Sequence, residues 1–483
     1  MIYNSIDDIR LWAILKKPYF IYMKQKIFLT RRYSNDIYKL IISICLNDAI
    51  KVEKNDLKLE IINIKKKPNL KFLLYCAGSF LLGLFFSKTK ILNLTYKNIR
   101  LGKYLIAQTY RNYGTYTSIF KFYFSLLKNI YQASLYIETA NFYLDKFEFK
   151  SVYLDHCEYL NGIFYDIFYE SGITIYSNHY PKNIFKVVSN KKKKINLEDC
   201  LKIEYLKDQK KNYNQKEIKK ILKKIFSRKN NYFPWANDIN YKNIPKENYK
   251  MYDYIVYAHS FTDAQLIYGA DGFCSTLEWL IFTINELNRQ NKKFIIKAHP
   301  NFFLDSKLEY AKWDKDIFIE FFSKFQNNNN ILIIDQPIDN HKLIKLLNKK
   351  CIVITHHGTV LLEMINNNFK VISSISNFID TRFNISNIWL NKIQYKELLR
   401  KNWKNLRSCK KENFYNLINQ MFMNKNTFYG KNNYESRLRE ILYKTNKIKD
   451  KKLAYTKVIK VFKNVSNKEQ IIDRIKVNIN KYN

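Results

Sequence analysis

The sequence predicts an α/β protein of two Rossmann-like lobes with extra N- and C-terminal helices, and three observations predict it. Short apolar β runs alternate with amphipathic helical stretches in two blocks of the 483-residue chain, the rhythm of βαβ units. A lysine-dense segment separates the blocks. In the second block the β runs turn polar at their carboxyl ends, and five of the seven histidines fall between His259 and His357. That edge of an open α/β sheet is where loops from successive strands converge and ligands bind.

Taken in order, residues 1–68 read as a basic, mainly helical accessory region that ends at Lys65-Lys66-Lys67-Pro68 and carries no motif. Residues 69–190 form the first lobe, with strands at Phe72–Tyr75, Ser151–Leu154 and Ile173–Tyr176 and a helix through Asn161–Glu170. The uncharged run from Phe72 to Phe86, 15 residues with Gly78 and Gly83 inside it, is short for a bilayer span. It reads as a buried strand and turn, with shallow membrane docking as the alternative. Residues 191–250 are a basic linker that opens on Lys191–Lys194. Within it Asn214 and Glu217 are spaced as a capping box ahead of Ile218, Ile221, Leu222, Ile225 and Phe226 at helical period. This amphipathic helix packs its apolar stripe on a neighbour or touches anionic lipid headgroups.

Residues 251–400 hold the second lobe. Its strands are Tyr254–Tyr257, Phe294–Lys297, Ile331–Ile334, Cys351–Thr355 and Lys370–Ser373, and its helices cover Ser275–Gln290, Asn340–Leu347 and Val360–Asn367. Residues 401–483 close the chain as basic helices able to cross back, so two lobes enclose a cleft.

A hydrophobic content of 47% supports packed cores, and a formal charge of +41 suits a polyanion or an anionic membrane. Abundant Lys, Asn, Ile, Tyr and Phe beside only 10 Gly and 7 Pro is also what AT-rich coding produces. The charge is spread along the chain and no nucleic-acid module appears, so no nucleic-acid partner is expected. Seven cysteines without a CxxC pair point to a reduced, cytoplasmic chain. Asp7 and Asp8, with no small-residue cleavage site, argue against a secretory signal.

The strongest local signal is Thr355-His356-His357-Gly358-Thr359, a strand passing through a tight glycine turn into a helix at Val360. Helix N-termini attract anions, most simply a phosphate, and Thr359 is placed as N-cap or ligand contact. Glu363, one turn on, suits ribose hydroxyls or serves as an ordinary first-turn carboxylate. Lys297-Ala298-His299-Pro300 holds an imidazole at the next strand end, since proline fixes the turn. His259 and Asp263 flank Ser260-Phe261-Thr262 at the first strand end. Asp263 reads as a general base, an orienting partner, a nucleophile toward an anomeric carbon, or the N-cap of a following helix. A metal on His299, His356, His357 and Cys351 is not expected, because adjacent histidines project apart and the spacing matches no zinc pattern. Neither GxGxxG nor a P-loop occurs.

Ala258–Asp263, Glu278-Trp279-Leu280, Lys297–Pro300 and Thr355–Glu363 together resemble the capsule polysaccharide biosynthesis proteins, bacterial GT-B glycosyltransferases that include the Kdo transferases. Ile99–Gly102, Thr109–Arg111 and Asp155–Gly172 are similar to the first half of those proteins. The resemblance implies a GT-B fold with nucleotide on the second lobe and acceptor on the first. It implies donor binding by Lys297, His299, Pro300, His356, His357, Gly358, Thr359 and Glu363, with His299 and Thr359 on the phosphate and Glu363 on the ribose. Asp263 and His259 are then the catalytic candidates. No cofactor or metal is implied, and Asp314-Lys315-Asp316, though DxD-like, lies in a polar helical insertion and reads as surface. The implied substrates are a nucleotide-sugar, CMP-sugars such as CMP-Kdo being favoured, and a glycan or glycolipid acceptor. The implied location is cytoplasmic, peripheral at the inner face of the cytoplasmic membrane against anionic lipid. The competing readings are transfer of a polyol phosphate from a CDP donor, polyanion binding, and a catalytically silent scaffold.

Overall fold

The computed structural model describes residues 12–16, 26–30, 58–62 and 67–422, apart from 114–118, 148, 156, 180–181, 188–196, 206–213, 227–240, 264, 304–308 and 326–327. Strands β1 (Trp12–Lys16), β2 (Lys26–Thr30) and β3 (Lys58–Ile62) come first. Helices α1 (Leu70–Leu81), α2 (Lys88–Leu92), α3 (Leu101–Tyr113) and α4 (Ile119–Lys146) follow. Then come β4 (Phe149–Asp155), α5 (Gly162–Glu170), β5 (Thr174–His179) and β6 (Lys182–Val187). The six strands form one sheet in the order β3-β2-β1-β4-β5-β6. β4 and β5 are parallel, as the β-α-β spacing predicts, while β1 and β6 flank them antiparallel.

Two expectations are corrected here. The described part of residues 1–68 is strand rather than helix: β1 pairs with β4 from Trp12↔Leu154 to Lys16↔Phe149, and pairing with a distant strand overrides weak local preference. The run Phe72–Tyr75 is helical. Asn69 caps α1 by accepting from Phe72 N at 2.9 Å, and no β-branched residue occurs between Leu70 and Leu81 to oppose the helix. Phe72, Cys76 and Ser79 form its buried face. Two glycines allow the helices to cross closely: a Cβ on Gly102 would lie 1.6 Å from the Ile91 carbonyl oxygen, and one on Gly162 would lie 2.0 Å from the Tyr104 ring.

After the linker helices α6 (Leu197–Leu201) and α7 (Gln215–Ile225) the second lobe begins. It runs β7 (Tyr254–Tyr257), α8 (Thr276–Arg289), β8 (Phe294–Lys297), α9 (Glu309–Ser323), β9 (Ile331–Ile334), α10 (Asn340–Leu346), β10 (Ile352–Thr355), α11 (Val360–Asn366), β11 (Lys370–Ser374), β12 (Asn387–Trp389), α12 (Lys392–Arg400) and α13 (Lys411–Phe422). Every pairing is parallel, in the order β12-β11-β10-β7-β8-β9. Relative to the first strand of this lobe the order is 6-5-4-1-2-3, the Rossmann arrangement, and the switch point lies between β7 and β10. The sequence reading missed β12, whose three residues are too few to show a period.

Side chains alternate across this sheet. Tyr254, Val256, Phe294, Ile296, Ile352 and Ile354 pack against α8, α9 and α12. Ile255, Ile295, Val353 and Val371 pack on the other side, in a core shared with α7, α10, α11, α13 and the first lobe's Val152, Phe164 and Ile175. Asn214 accepts from Lys216 N and Glu217 N at 3.0 and 3.4 Å, and Ile218, Ile221 and Leu222 of α7 are buried. The apolar stripe of this helix thus packs on its neighbours, as the first of its two readings expects, while Lys219, Lys220 and Lys223 stay exposed. Beyond α13 the expected C-terminal helices lie outside the described residues.

Candidate active site

The switch point brings His259, His299, His356, His357 and Gly358 to one edge. The rings of His259 and His357 stand 3.7 Å apart between centroids, and those of His259 and His299 5.3 Å apart. Such proximity demands that few of these rings be charged. Burial, and then the neighbouring His356, hold His259 down to about 4. Burial, with the other histidines, pushes His299 and His357 well below the usual imidazole range. His259 Nδ1 lies 3.3 Å from the Ser260 carbonyl. A carbonyl only accepts, so the neutral ring keeps its proton on Nδ1 and turns an acceptor, Nε2, to the site.

His356 turns the other way. Its Nε2 lies 2.9 Å from Asp271 Oδ2, and its ring meets Trp279 and Trp389 edge-on. Asp271 also accepts from Ser374 Oγ and Phe273 N. Burial alone would raise this carboxyl, but the His356 charge and these donors hold it below its ordinary value. His356 Nδ1 in turn is 2.7 Å from His357 Nδ1, and His357 Nε2 is buried without a hydrogen-bond partner among the described residues. The proton inventory follows. When His356 is neutral, Asp271 takes its Nε2 proton, His357 must donate from Nδ1, and His357 Nε2 is an acceptor. When His356 carries both protons, it donates to His357 and leaves His357 Nε2–H free to donate.

Gly358 has φ +144, a backbone that side chains disfavour, and a Cβ there would approach His259 Cδ2 at 4.0 Å. Thr359 stands at the N-cap of α11, as one of its readings has it, but in helical geometry and without a side-chain capping bond. α11 is short, so its end contributes little dipole. Cys351 is at the opposite end of β10, and His341 lines a groove of roughly 420 Å³ with Lys219, Lys223, Phe226 and Asn367 at the far end of α11. Neither joins the cluster.

On the sheet face below lies a buried polar group. Lys297 is 5% exposed, and burial lowers its ammonium to about 8 despite the nearby Glu363 and Asp339. Burial raises Glu363, which accepts from Asn340 Nδ2 at 2.5 Å; Asn340 Oδ1 accepts from Tyr257 at 2.8 Å. Pro300 begins a 3-10 turn to Phe303, and Phe302 N donates to the His299 carbonyl at 3.1 Å.

The loop after β7 is braced from beneath. Asp314 of α9 is fully buried, accepting from Phe261 N at 2.9 Å and Ser260 Oγ at 2.5 Å, and burial raises it to about 7. Its reading as a surface residue is therefore corrected; the exposed Trp313, Lys315 and Asp316 around it hid the one inward position of that turn. Gln265 adds bonds to the carbonyls of Ser260 and Asp263, each 2.9 Å. Among the described residues no helix follows Asp263 before α8, whose N-cap is Ser275, so the N-cap reading of Asp263 is corrected as well. Instead Asp263 Oδ1 accepts from two residues of the first lobe, Arg111 at 2.5 Å and Tyr159 at 2.7 Å. Among the described residues no donor to Oδ2 is found. Tyr159 has φ +52, a strained conformation for a large side chain. Arg111, Tyr159 and Asp271 were not singled out from sequence. Arg111 ends a segment that was, and the glycines flanking Asp271, Gly269 and Gly272 with positive φ, were an available turn signal. Among the described residues no three His, Cys, Asp or Glu side chains are placed to share a metal ion.

No family model matches the chain, and no curated protein matches it. Two solved structures show faint likeness. One is the β-Kdo 2,4 transferase KpsC of Thermosulfurimonas dismutans, 10% identical over 55% of this chain and 78% of that one, with a TM-score of 0.32. The other is the UDP-GlcNAc 2-epimerase of Methanocaldococcus jannaschii in complex with UDP-GlcNAc and UDP, 12% identical over 78% of this chain and 94% of that one, with a TM-score of 0.26.

Proposed function

We propose that this chain is a glycosyltransferase of surface or capsular polysaccharide synthesis with a GT-B arrangement, taking a sugar from a nucleotide donor, a CMP-sugar such as CMP-Kdo being favoured, to a glycan or glycolipid acceptor. The observation that carries the proposal is the cluster of His259, His299 and His357 at the Rossmann switch point, which burial holds neutral, on the same sheet edge as a carboxylate, Asp263, held by the opposite lobe. Neutral N–H donors fixed in a dry site stabilise charge as it develops on a departing phosphate. His299 and His357 are placed for that role, His357 with its unpartnered Nε2. Lys297 adds positive charge beneath them, and Glu363, steadied by Asn340, offers acceptors to ribose. Arg111 and Tyr159 occupy one oxygen of Asp263, which leaves the other to orient or deprotonate an acceptor hydroxyl, while His259 Nε2 is a second proton acceptor nearby. In this reading no metal or cofactor takes part, and the enzyme works peripherally at the inner face of the cytoplasmic membrane.

Thermal-shift titration with CMP, CDP, UDP and GDP tests the donor site. Saturable stabilisation by one nucleotide, lost in His299→Ala, is expected. No stabilisation by any of them, or equal stabilisation of the variant, would overturn it. The mass of the product then separates sugar transfer from polyol phosphate transfer, since only the latter adds phosphorus to the acceptor.

A further inference from the structure

The apolar stripe of α7 is buried, yet another apolar surface is not. α1 presents Leu70, Leu74 and Leu81 outward at 67, 64 and 87% exposure, and Leu82 follows at 77%. The first half of α4 presents Phe120, Phe124, Leu127 and Tyr131 at 83, 68, 56 and 50%. Spacings of four, seven and eleven residues put each set on one helix face, opposite the buried faces Phe72–Cys76–Ser79 and Phe122–Leu126–Ile130. The two helices are antiparallel neighbours: Asn69 at the start of α1 meets Ser134 and Glu138 of α4, while the Phe85 carbonyl beyond its end accepts from Tyr123. Leucine and phenylalanine this exposed on adjacent helices do not belong to an ordinary solvated face.

The charge around them is one-sided. From Ile61 to Ile137 the sequence has no Asp or Glu, although a chain with 42 acids in 483 residues would place about seven in such a stretch. Lys71 and Lys128 are exposed next to Leu70 and Leu127. No helix among the described residues is long and apolar enough to cross a membrane. An apolar face with lysines at its border, the nearby Glu138 being bound by Asn69, is the chemistry of a helix pair lying in an anionic bilayer surface.

We propose that the outer faces of α1 and the first half of α4 dock the chain onto an anionic bilayer, with Leu74, Leu81, Phe120 and Phe124 in the acyl boundary and Lys71 and Lys128 at headgroup level. α4 touches the site through one intermediary, α3. Asn129 donates to Thr109 Oγ1 at 3.0 Å, and Phe122 packs on Tyr110 at 6.2 Å, next to Arg111. A lipid-linked acceptor would therefore meet the Asp263 side of the site from the membrane. The docking deepens the peripheral-membrane part of the function proposed above and is independent of its transfer chemistry.

Vesicle flotation of the full chain tests it, with phosphatidylcholine vesicles and with mixed phosphatidylcholine–phosphatidylglycerol vesicles. Wild type is expected to float with the mixed vesicles. The combined variant Leu74→Gln/Leu81→Gln/Phe120→Gln/Phe124→Gln, with an unchanged melting profile and an unchanged response to nucleotide, is expected to lose at least tenfold in partitioning. Lys219→Gln/Lys220→Gln/Lys223→Gln on α7 is expected to float like wild type. Flotation of the apolar variant at the wild-type level would overturn the assignment of this face while leaving membrane contact standing. Failure of wild type to float would overturn both, leaving the nucleotide result untouched. A wild-type dimer by light scattering, dispersed by the apolar variant and indifferent to vesicles, would make the face a contact between two copies and overturn the proposal.

Discussion

Arg111, at the end of α3 in the first lobe, donates to Asp263 on the loop after β7 of the second at 2.5 Å, one of the contacts that join the two lobes. Asp263 is 32% exposed and Arg111 17%, so the contact is partly open to solvent. If the pair positions the acceptor, Arg111→Ala should lower turnover about 100-fold or more while the nucleotide midpoint in thermal-shift titration stays put. A parallel loss of nucleotide affinity would assign Arg111 to the donor instead.

Binding of a nucleotide phosphate should draw protons into the site. His259, His299 and His357 are held neutral by burial and by one another, and an arriving anion favours their charged forms. Affinity should therefore rise as the pH falls from 8 to 6. Calorimetry in buffers of different ionisation enthalpy should register proton uptake. His357→Gln, which removes one of these imidazoles, should diminish it.

The same histidines should make the fold acid-labile. Their unfolded values lie near 6.5, above the folded ones, so the unfolded chain binds more protons between those limits. Their contribution is complete above about pH 6.5 and is lost as the pH falls toward the folded value, about 4 for His259. Urea midpoints at pH 7.5, 6 and 5 should fall in that order, and the fall should be shallower in His357→Gln.

Asp314 runs in the opposite sense. Its folded value, about 7, is above its unfolded one, so its contribution is full in acid and is lost as the pH rises through 7. Asp314→Asn should keep the acceptor for Phe261 N and remove that dependence. Asp314→Ala should cost roughly 1–3 kcal/mol by orphaning the loop amide. Denaturant midpoints at pH 5 and 8 compare the three proteins.

Gly102→Ala should destabilise by about 1–3 kcal/mol, because the obstacle is the Ile91 carbonyl oxygen 1.6 Å away and backbone of a packed helix does not swing aside. Thermal denaturation measures it, with Gly78→Ala as the control, since nothing lies within 4 Å of a Cβ there.

The second lobe was legible in the sequence because its strands carry their burial in their composition. Ile, Val and Phe runs bounded by polar turns admit few other readings, and β7, β8 and β9 begin and end where those runs do. In the first lobe the same held for β4, α5 and β5, but not for the segment before them. Leu70–Leu81 is as apolar as a buried strand, and what marks it as a helix is the Asn69 cap and the absence of β-branched residues, neither of which the apolar run displays. Asp314 and Asp316 are two residues apart and chemically alike, yet one lies under the Ser260 loop and the other in solvent.

By itself the sequence determined the α/β class, the position of the histidines at strand ends and the turn at Gly358, because these follow from local patterns of apolarity and backbone freedom. Tertiary structure alone decided which strands neighbour one another. It thereby decided that His259 faces His357, that His356 turns to Asp271, that Arg111 reaches Asp263, and that the apolar face of α7 is buried while those of α1 and α4 are open. Such relations join residues up to 152 positions apart; they depend on strand order and helix packing, which cooperative burial of the whole chain selects and no local window contains.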